Sequence, residues 1–161
     1  MQKHVFGPAG LAHTSPDDPA TIVPERGRFY TRDASGAILN AEFVDNSYKW
    51  AGGGFLSTAE DLVTFANVLM EGRLLRPETV RLLWTSQKTK DGKDTGYGIG
   101  WDAERDPKGR LRIAHSGGAQ GGTAYIVIYP ESQLAAAMIV NSDESFTGRT
   151  PRIAEMFLEG E

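Results

Sequence analysis

The sequence predicts an α+β fold: two helices in mid-chain, then an antiparallel β-meander, then a flanking helix at the end. Three observations lead there. Apolar residues recur at helical spacing between 58 and 86, the period switches to two after Gly96, and Gly- and Pro-rich turns punctuate the second half. With 161 residues the chain supports one domain of ordinary size rather than two. Within it, 1–95 reads as a loop and helical part and 96–161 as antiparallel strands with a terminal helix.

Each element has its own signal. Residues 1–50 hold Pro8, Pro16, Pro19 and Pro24 and little periodicity, which predicts loops with short extended pieces lying against something else. Ser57-Thr58-Ala59-Glu60 reads as a capping box with Ser57 as the cap. Leu62, Phe65, Ala66 and Leu69 follow at helical spacing and Gly72 stops the run, so a helix is predicted over 58–71. Pro77 suits a first helical position and Val80, Leu83 and Trp84 make an apolar face, giving a helix over about 77–86. Strands are predicted over 97–104, 110–116, 122–130 and 133–141, with tight turns at 106–109 and 130–133. Thr150-Pro151 opens a helix over 151–159 that covers one sheet face, with Ile153, Met156 and Phe157 as its expected buried side.

Composition narrows the function. A formal charge of −4 without clustered lysine and arginine argues against a nucleic-acid or anionic-membrane surface. The longest apolar run, Leu134–Val140, falls far short of the ~20 residues that span a bilayer. The first eight residues lack the apolar stretch of a secretory signal, which leaves the compartment open. Without cysteine there is no disulfide, thiolate metal site or cysteine nucleophile. His4, His13 and His115 lack metal-site spacing, and no cofactor is implied. Gly52-Gly53-Gly54 precedes a helix but lacks the Lys-Ser/Thr of a phosphate loop. Trp50, Trp84, Trp101, Tyr97 and Tyr125 read as core or groove walls, and one of Tyr97 and Trp101 is a candidate to face a substrate.

The richest site is Ala114-His115-Ser116-Gly117-Gly118, at the end of a predicted strand. A histidine beside a hydroxyl can relay a proton, and glycines let a substrate approach backbone amides. The same residues also suit an ordinary β-connection with locally bonded side chains. A lipase-type nucleophile elbow at Ser116 is excluded, because it needs a helix straight after the serine and a later histidine. Here a strand is predicted to follow, and no histidine comes after His115.

Five segments in fixed order resemble the second half of the serine β-lactamase and penicillin-binding-protein-like hydrolases, in the branch with class C β-lactamases, D-aminopeptidases and esterases. They are Ala51-Gly-Gly-Gly-Phe-Leu-Ser-Thr-Ala-Glu-Asp-Leu, Gly72-Arg-Leu-Leu-Arg-Pro-Glu-Thr-Val, Tyr97-Gly-Ile-Gly-Trp, His115-Ser-Gly-Gly and Tyr129-Pro-Glu. Phe6-Gly-Pro-Ala-Gly-Leu-Ala-His-Thr14 also resembles the family's Phe-x-Pro-Leu-Gly-Met-x-x-Thr, departing at Ala9 and Leu11. The resemblance implies a partial β-lactamase/transpeptidase-like fold. It implies that His115 takes the place of the family's catalytic-network lysine, and that Ser116, Gly117 and Gly118 bind substrate. Ser116 would donate a hydrogen bond, and the Gly118 amide would be one of two oxyanion donors.

The family's nucleophile motif is not found in these residues. None of the nine serines has lysine three residues on, and none of the five tyrosines has asparagine two residues on. The resemblance therefore implies a carboxyl-terminal portion of a longer hydrolase acting on an ester, β-lactam or D-amino-acid peptide. Its partners would be a small-molecule or peptide substrate in the complete enzyme, and a missing amino-terminal part or a second copy. A non-catalytic binding module with the same fold is the alternative.

Overall fold

The structure is a computed structural model and describes residues 1–143 and 146–160. The chain opens with a π-type turn, Gln2–Phe6, that runs into the short helix α1 (Gly7–Ala9). Phe6, Ala9 and Leu11 are buried with Val68, and Phe6 meets Phe55 edge to face at 5.5 Å. The expectation of loops over 1–50 misses this helical start. The remainder is irregular apart from β1 (Ser15–Pro16), β2 (Tyr30–Arg32), β3 (Ile38–Asn40) and a 3-10 turn over Ser47–Gly52. β2 pairs with β3, and β1 pairs with β4 (Phe55–Leu56), both antiparallel.

α2 (Ala59–Met70) forms where its periodicity places it, but the cap is Thr58 rather than Ser57. Thr58 Oγ1 accepts from the Asp61 amide at 3.1 Å, and Glu60 stays exposed. Asp61 is the reason for the shift. It is buried, and its Oδ2 accepts from the Thr14 hydroxyl at 2.6 Å and the His13 amide at 2.9 Å. Thr14 in turn pairs with the Ser57 hydroxyl at 2.9 Å, so Ser57 is engaged away from the helix end. At the other end the Gly72 and Arg73 amides donate to the Leu69 and Val68 carbonyls, with Gly72 at φ 69°, a Schellman stop.

α3 (Pro77–Leu83) is shorter than expected because the Ile99 amide takes the Leu83 carbonyl at 2.9 Å. The same contact delays the first strand. Residues 97–101 fold into a turn, so β5 (Asp102–Arg105) starts five residues later than predicted. β6 (Leu111–Ala119), β7 (Gly122–Tyr129) and β8 (Leu134–Val140) follow the predicted meander, giving one antiparallel sheet in the order β5-β6-β7-β8.

The sheet is the middle layer. On one face Ile113, Ile126 and Ile128 pack with Ala66 and Leu69 of α2, Val80 of α3, and the Trp84–Trp101 pair. Trp101 is therefore core, in edge-to-face contact with Trp84 at 6.5 Å, whereas Tyr97 is 40% exposed. On the other face α4 (Thr150–Glu159) lays Ala154 and Leu158 against Ala114, Val127 and Tyr129. The expected buried side of α4 is corrected here: Ile153, Met156 and Phe157 are 39%, 61% and 67% exposed. The sheet meets the stripe through Thr150, Pro151, Ala154 and Leu158, at spacings of about one turn, and leaves the neighbouring stripe bare. Among the described residues no helix is long and apolar enough to cross a membrane.

Candidate functional site

β6 changes character at one residue. At Ile113 and Ala114 it is paired on both sides, with Ala114 opposite Asp102 of β5 and Val127 of β7. From His115 to Ala119 only β7 remains as a strand partner, and every residue is exposed. Four of the site residues predicted from sequence, His115, Ser116, Gly117 and Gly118, lie on this half-open stretch. A strand with one free edge offers backbone donors and acceptors to an extended ligand.

Alternation along the strand separates the side chains. His115 shares a face with Ile113 and Ile126, toward the α2 and α3 layer, while Ser116 shares the α4 face with Ala114 and its cross-strand partner Tyr125. Adjacent in sequence, His115 and Ser116 point to opposite sides and make no dyad. Neither side chain is hydrogen-bonded to another described residue. Burial pushes the Tyr125 hydroxyl above its ordinary pKa, against the opposing pull of Arg112.

The two glycines are unexplained by the fold. A β-carbon on Gly117 would meet nothing within 4 Å, and one on Gly118 would only graze Thr123 Cγ2 at 3.9 Å. Neither has the positive φ that favours glycine. Glycine in a strand costs about 0.5–1 kcal/mol relative to alanine, and the chain's own packing requires neither of them.

The strand's end is firmly seated. Gly121 stands at φ 68°, with the Phe29 and Ala41 side chains packed directly over it, and its amide donates to Asp143 Oδ1 at 2.5 Å. Asn141 Nδ2 donates to the Arg28 carbonyl at 3.0 Å. A second seat holds the triple glycine. Asp17 is buried, its amide donates to the Gly54 carbonyl, and its carboxylate meets Asn46 Nδ2 at 3.0 Å and the Arg26 guanidinium at 2.8 Å. A β-carbon on Gly54 would lie 2.5 Å from the Asn46 carbonyl, so that glycine serves a close backbone approach. Sequence reasoning missed Asp17, Asp61 and the Phe29–Gly121 seat. Ser57-Thr58 followed by Asp61 was the one available signal, since cap and carboxylate stand three apart.

His4 lies in the opening turn, and His13 uses its backbone amide toward Asp61. Among the described residues no three His, Cys, Asp or Glu side chains are grouped to hold a metal. β6 continues through Ser116 into a turn and β7, which is not the strand-turn-helix of a nucleophile elbow.

The sequence profile of the family described as Beta-lactamase matches residues 1–160. The chain is 32% identical over 156 residues to the serine beta-lactamase-like protein LACTB, mitochondrial, of Homo sapiens, covering 81% of this chain and 28% of that protein. The Bos taurus protein of the same description is 31% identical over 163 residues, covering 86% and 29%. The chain thus spans less than a third of these curated relatives. Among solved structures it superposes on the octameric penicillin-binding protein homologue from Pyrococcus abyssi with a TM-score of 0.82, covering 99% of this chain and 37% of that one. At 22% identity that likeness speaks of fold alone. The D-amino acid amidase from Ochrobactrum anthropi SV3 complexed with L-phenylalanine amide gives a TM-score of 0.70 at 28% identity, covering 91% and 45%.

Proposed function

The chain belongs to the beta-lactamase family of serine hydrolases, and from that premise we propose that it supplies the substrate-binding strand of an acyl-transfer enzyme. One observation carries the reading: His115 to Gly118 form an exposed half-open strand with two glycines that the chain's own packing does not require. An ester, β-lactam or D-amino-acid peptide lying along that edge would receive backbone hydrogen bonds. The Gly118 amide would stabilise the oxyanion that appears only in the tetrahedral intermediate, together with the amide of the nucleophile. The Ser116 hydroxyl would donate to a substrate carboxylate or carbonyl. His115 would shape the proton network from the opposite side of the strand.

The nucleophile is proposed to come from further residues of a longer protein. No serine here has lysine three residues on, and the opposed faces of His115 and Ser116 deny Ser116 a base. The chain alone is therefore expected to form no acyl-enzyme. Intact-mass spectrometry after incubation with penicillin and with p-nitrophenyl acetate tests this, and stoichiometric acylation mapped to Ser116 would overturn it. Joined to a segment bearing Ser-x-x-Lys, the protein should turn over one of these substrate classes. His115→Ala should then lower kcat/KM about a hundredfold or more. Ligand binding without turnover in the joined protein would favour the binding-module reading.

A further inference from the structure

Period-two alternation predicts a strand over 97–104, yet residues 97–101 fold back. Tyr97 pairs antiparallel with Asp102, the Gly98 amide donates to the Trp101 carbonyl at 2.7 Å, and the Ala103 amide donates to the Gly96 carbonyl at 2.8 Å. Resting on the reading of β6 as the substrate strand, we infer that Gly98 and Gly100 are positioning residues for the reaction. They fold 97–101 into a turn, and the turn keeps this segment off the edge of β6 that the substrate needs.

The turn requires both glycines. A β-carbon on Gly98 would run into the Leu83 carbonyl oxygen, which accepts from the Ile99 amide at 2.9 Å. Gly100 stands at φ 78° with nothing within 4 Å of its β-carbon position, so its demand is conformational alone.

Straightened, the segment would match the open edge residue for residue. Continuing the β5–β6 register from Asp102 opposite Ala114 sets Trp101 opposite His115, Gly100 opposite Ser116, Ile99 opposite Gly117 and Gly98 opposite Gly118. The Asp106 amide donates to the Arg110 carbonyl at 3.0 Å, so Arg110 and every second residue after it turn their backbone groups toward the β5 side. Ser116 and Gly118 fall in that series and carry the free amides of the edge. Gly100 and Gly98 are the residues that would take them.

The apolar side chains also suit the straight form. Trp101 and Ala103 already face α2 and α3, and period two would bring Tyr97 and Ile99 to the same face. In the turn these two are 40% and 50% exposed. Ile99 would lie beside Gly117, where no neighbour stands within 4 Å of a β-carbon. The apolar pattern pulls the segment toward β6, and the two glycines hold it away.

The test uses the chain itself, which has no cysteine of its own. Ile99→Cys with Gly117→Cys puts two thiols on a non-hydrogen-bonded pair of the straight form, about 4.5 Å apart at Cα and within disulfide reach. Under oxidised glutathione they should stay free with Gly100 in place. They should cross-link once Gly100→Val is added, since valine avoids positive φ and suits a strand. Gly100→Asn, which tolerates that φ, should restore the free thiols. Without the cysteines, Gly100→Val should slow amide exchange at Ser116 and Gly118 at least tenfold, whereas a general loss of stability would speed it. If valine prevents folding, Gly100→Ala carries the same test. A folded variant with free thiols and unchanged exchange at Ser116 and Gly118 would overturn the inference. Cross-linking as fast with Gly100 as with valine would overturn the part given to the glycine. Equal cross-linking with His115→Cys in place of Gly117→Cys would overturn the register. In the joined protein Gly100→Val should raise KM about threefold to tenfold at unchanged kcat, because segment and substrate compete for one edge. Cross-linking together with an unchanged KM would leave the turn standing and overturn the reading of β6 as the substrate strand.

Discussion

At Gly117 a β-carbon would meet nothing within 4 Å, while at Gly121 it would lie 2.6 Å from Ala41 Cβ and 2.7 Å from Phe29 Cβ. The chain's own packing leaves the first position open and closes the second. Gly117→Ala should fold with unchanged or slightly raised stability, since it relieves the entropy of a strand glycine. In the completed enzyme the same change should raise KM if a ligand lies along the open edge of β6 as proposed, because the added methyl group would crowd it. Gly121→Ala combines a positive φ with a backbone-proximal clash and should cost about 2–4 kcal/mol. Paired urea melts and substrate kinetics separate the two. A Gly117→Ala variant as destabilised as Gly121→Ala would return both glycines to a purely structural role.

Individual elements show the same division between local rule and imported contact. The turn from β5 to β6 is built on Asp106, whose Oδ1 accepts from the Lys108 and Arg110 amides at 2.9 Å each, and whose Oδ2 meets the Arg110 side chain at 2.6 Å. Burial alone would push this carboxyl up, but Arg110 and the two amides outweigh it and hold the pKa below the ordinary aspartate value. A lowered folded-state pKa contributes stability that is present above the ordinary aspartate value and is lost as pH falls through the lowered one. Asp106→Asn should therefore cost about 2–3 kcal/mol near neutrality and flatten the acid limb of the stability profile. Thermal melts between pH 2 and pH 7 measure both. An acid limb identical in the two proteins would remove Asp106 as its source.

For the molecule as a whole, β8 is the open question of packing. Leu134–Val140 forms one edge of the sheet, apolar throughout and without the proline or lysine that usually blunts an edge. Next to it, α4 presents Ile153, Met156 and Phe157 to solvent. We propose that the isolated chain pairs with a second copy through this surface, which the rest of a longer protein would otherwise cover. Light scattering after size exclusion should give a mass above 17.5 kDa at micromolar concentration. Phe157→Lys, at a position 67% exposed, should shift the equilibrium toward monomer without loss of fold. A wild-type monomer under these conditions would sink the idea.

Periodicity, turn chemistry and proline placement were enough to read α2, α3, α4 and the β6-β7-β8 meander, because the forces that set them act within a few residues. The ordered motifs were likewise enough to read the family, and they mark His115 through Gly118 as the candidates that the proposed function rests on. The choice of Thr58 over Ser57 as the cap depended on Thr14 and Asp61 meeting across more than forty residues. The late start of β5 and the early stop of α3 both followed from the bond between Leu83 and Ile99. An apolar stripe could be read on α4, but which part of it meets the sheet is a matter of docking angle. The opposed faces of His115 and Ser116 needed the strand's extent, and the open edge beyond Ala114 needed the turn at 98–101 that Leu83 holds. Local sequence determines what each segment can become. Only the contacts between distant segments decide which donor is already taken, which face is covered and where the space for a ligand is left.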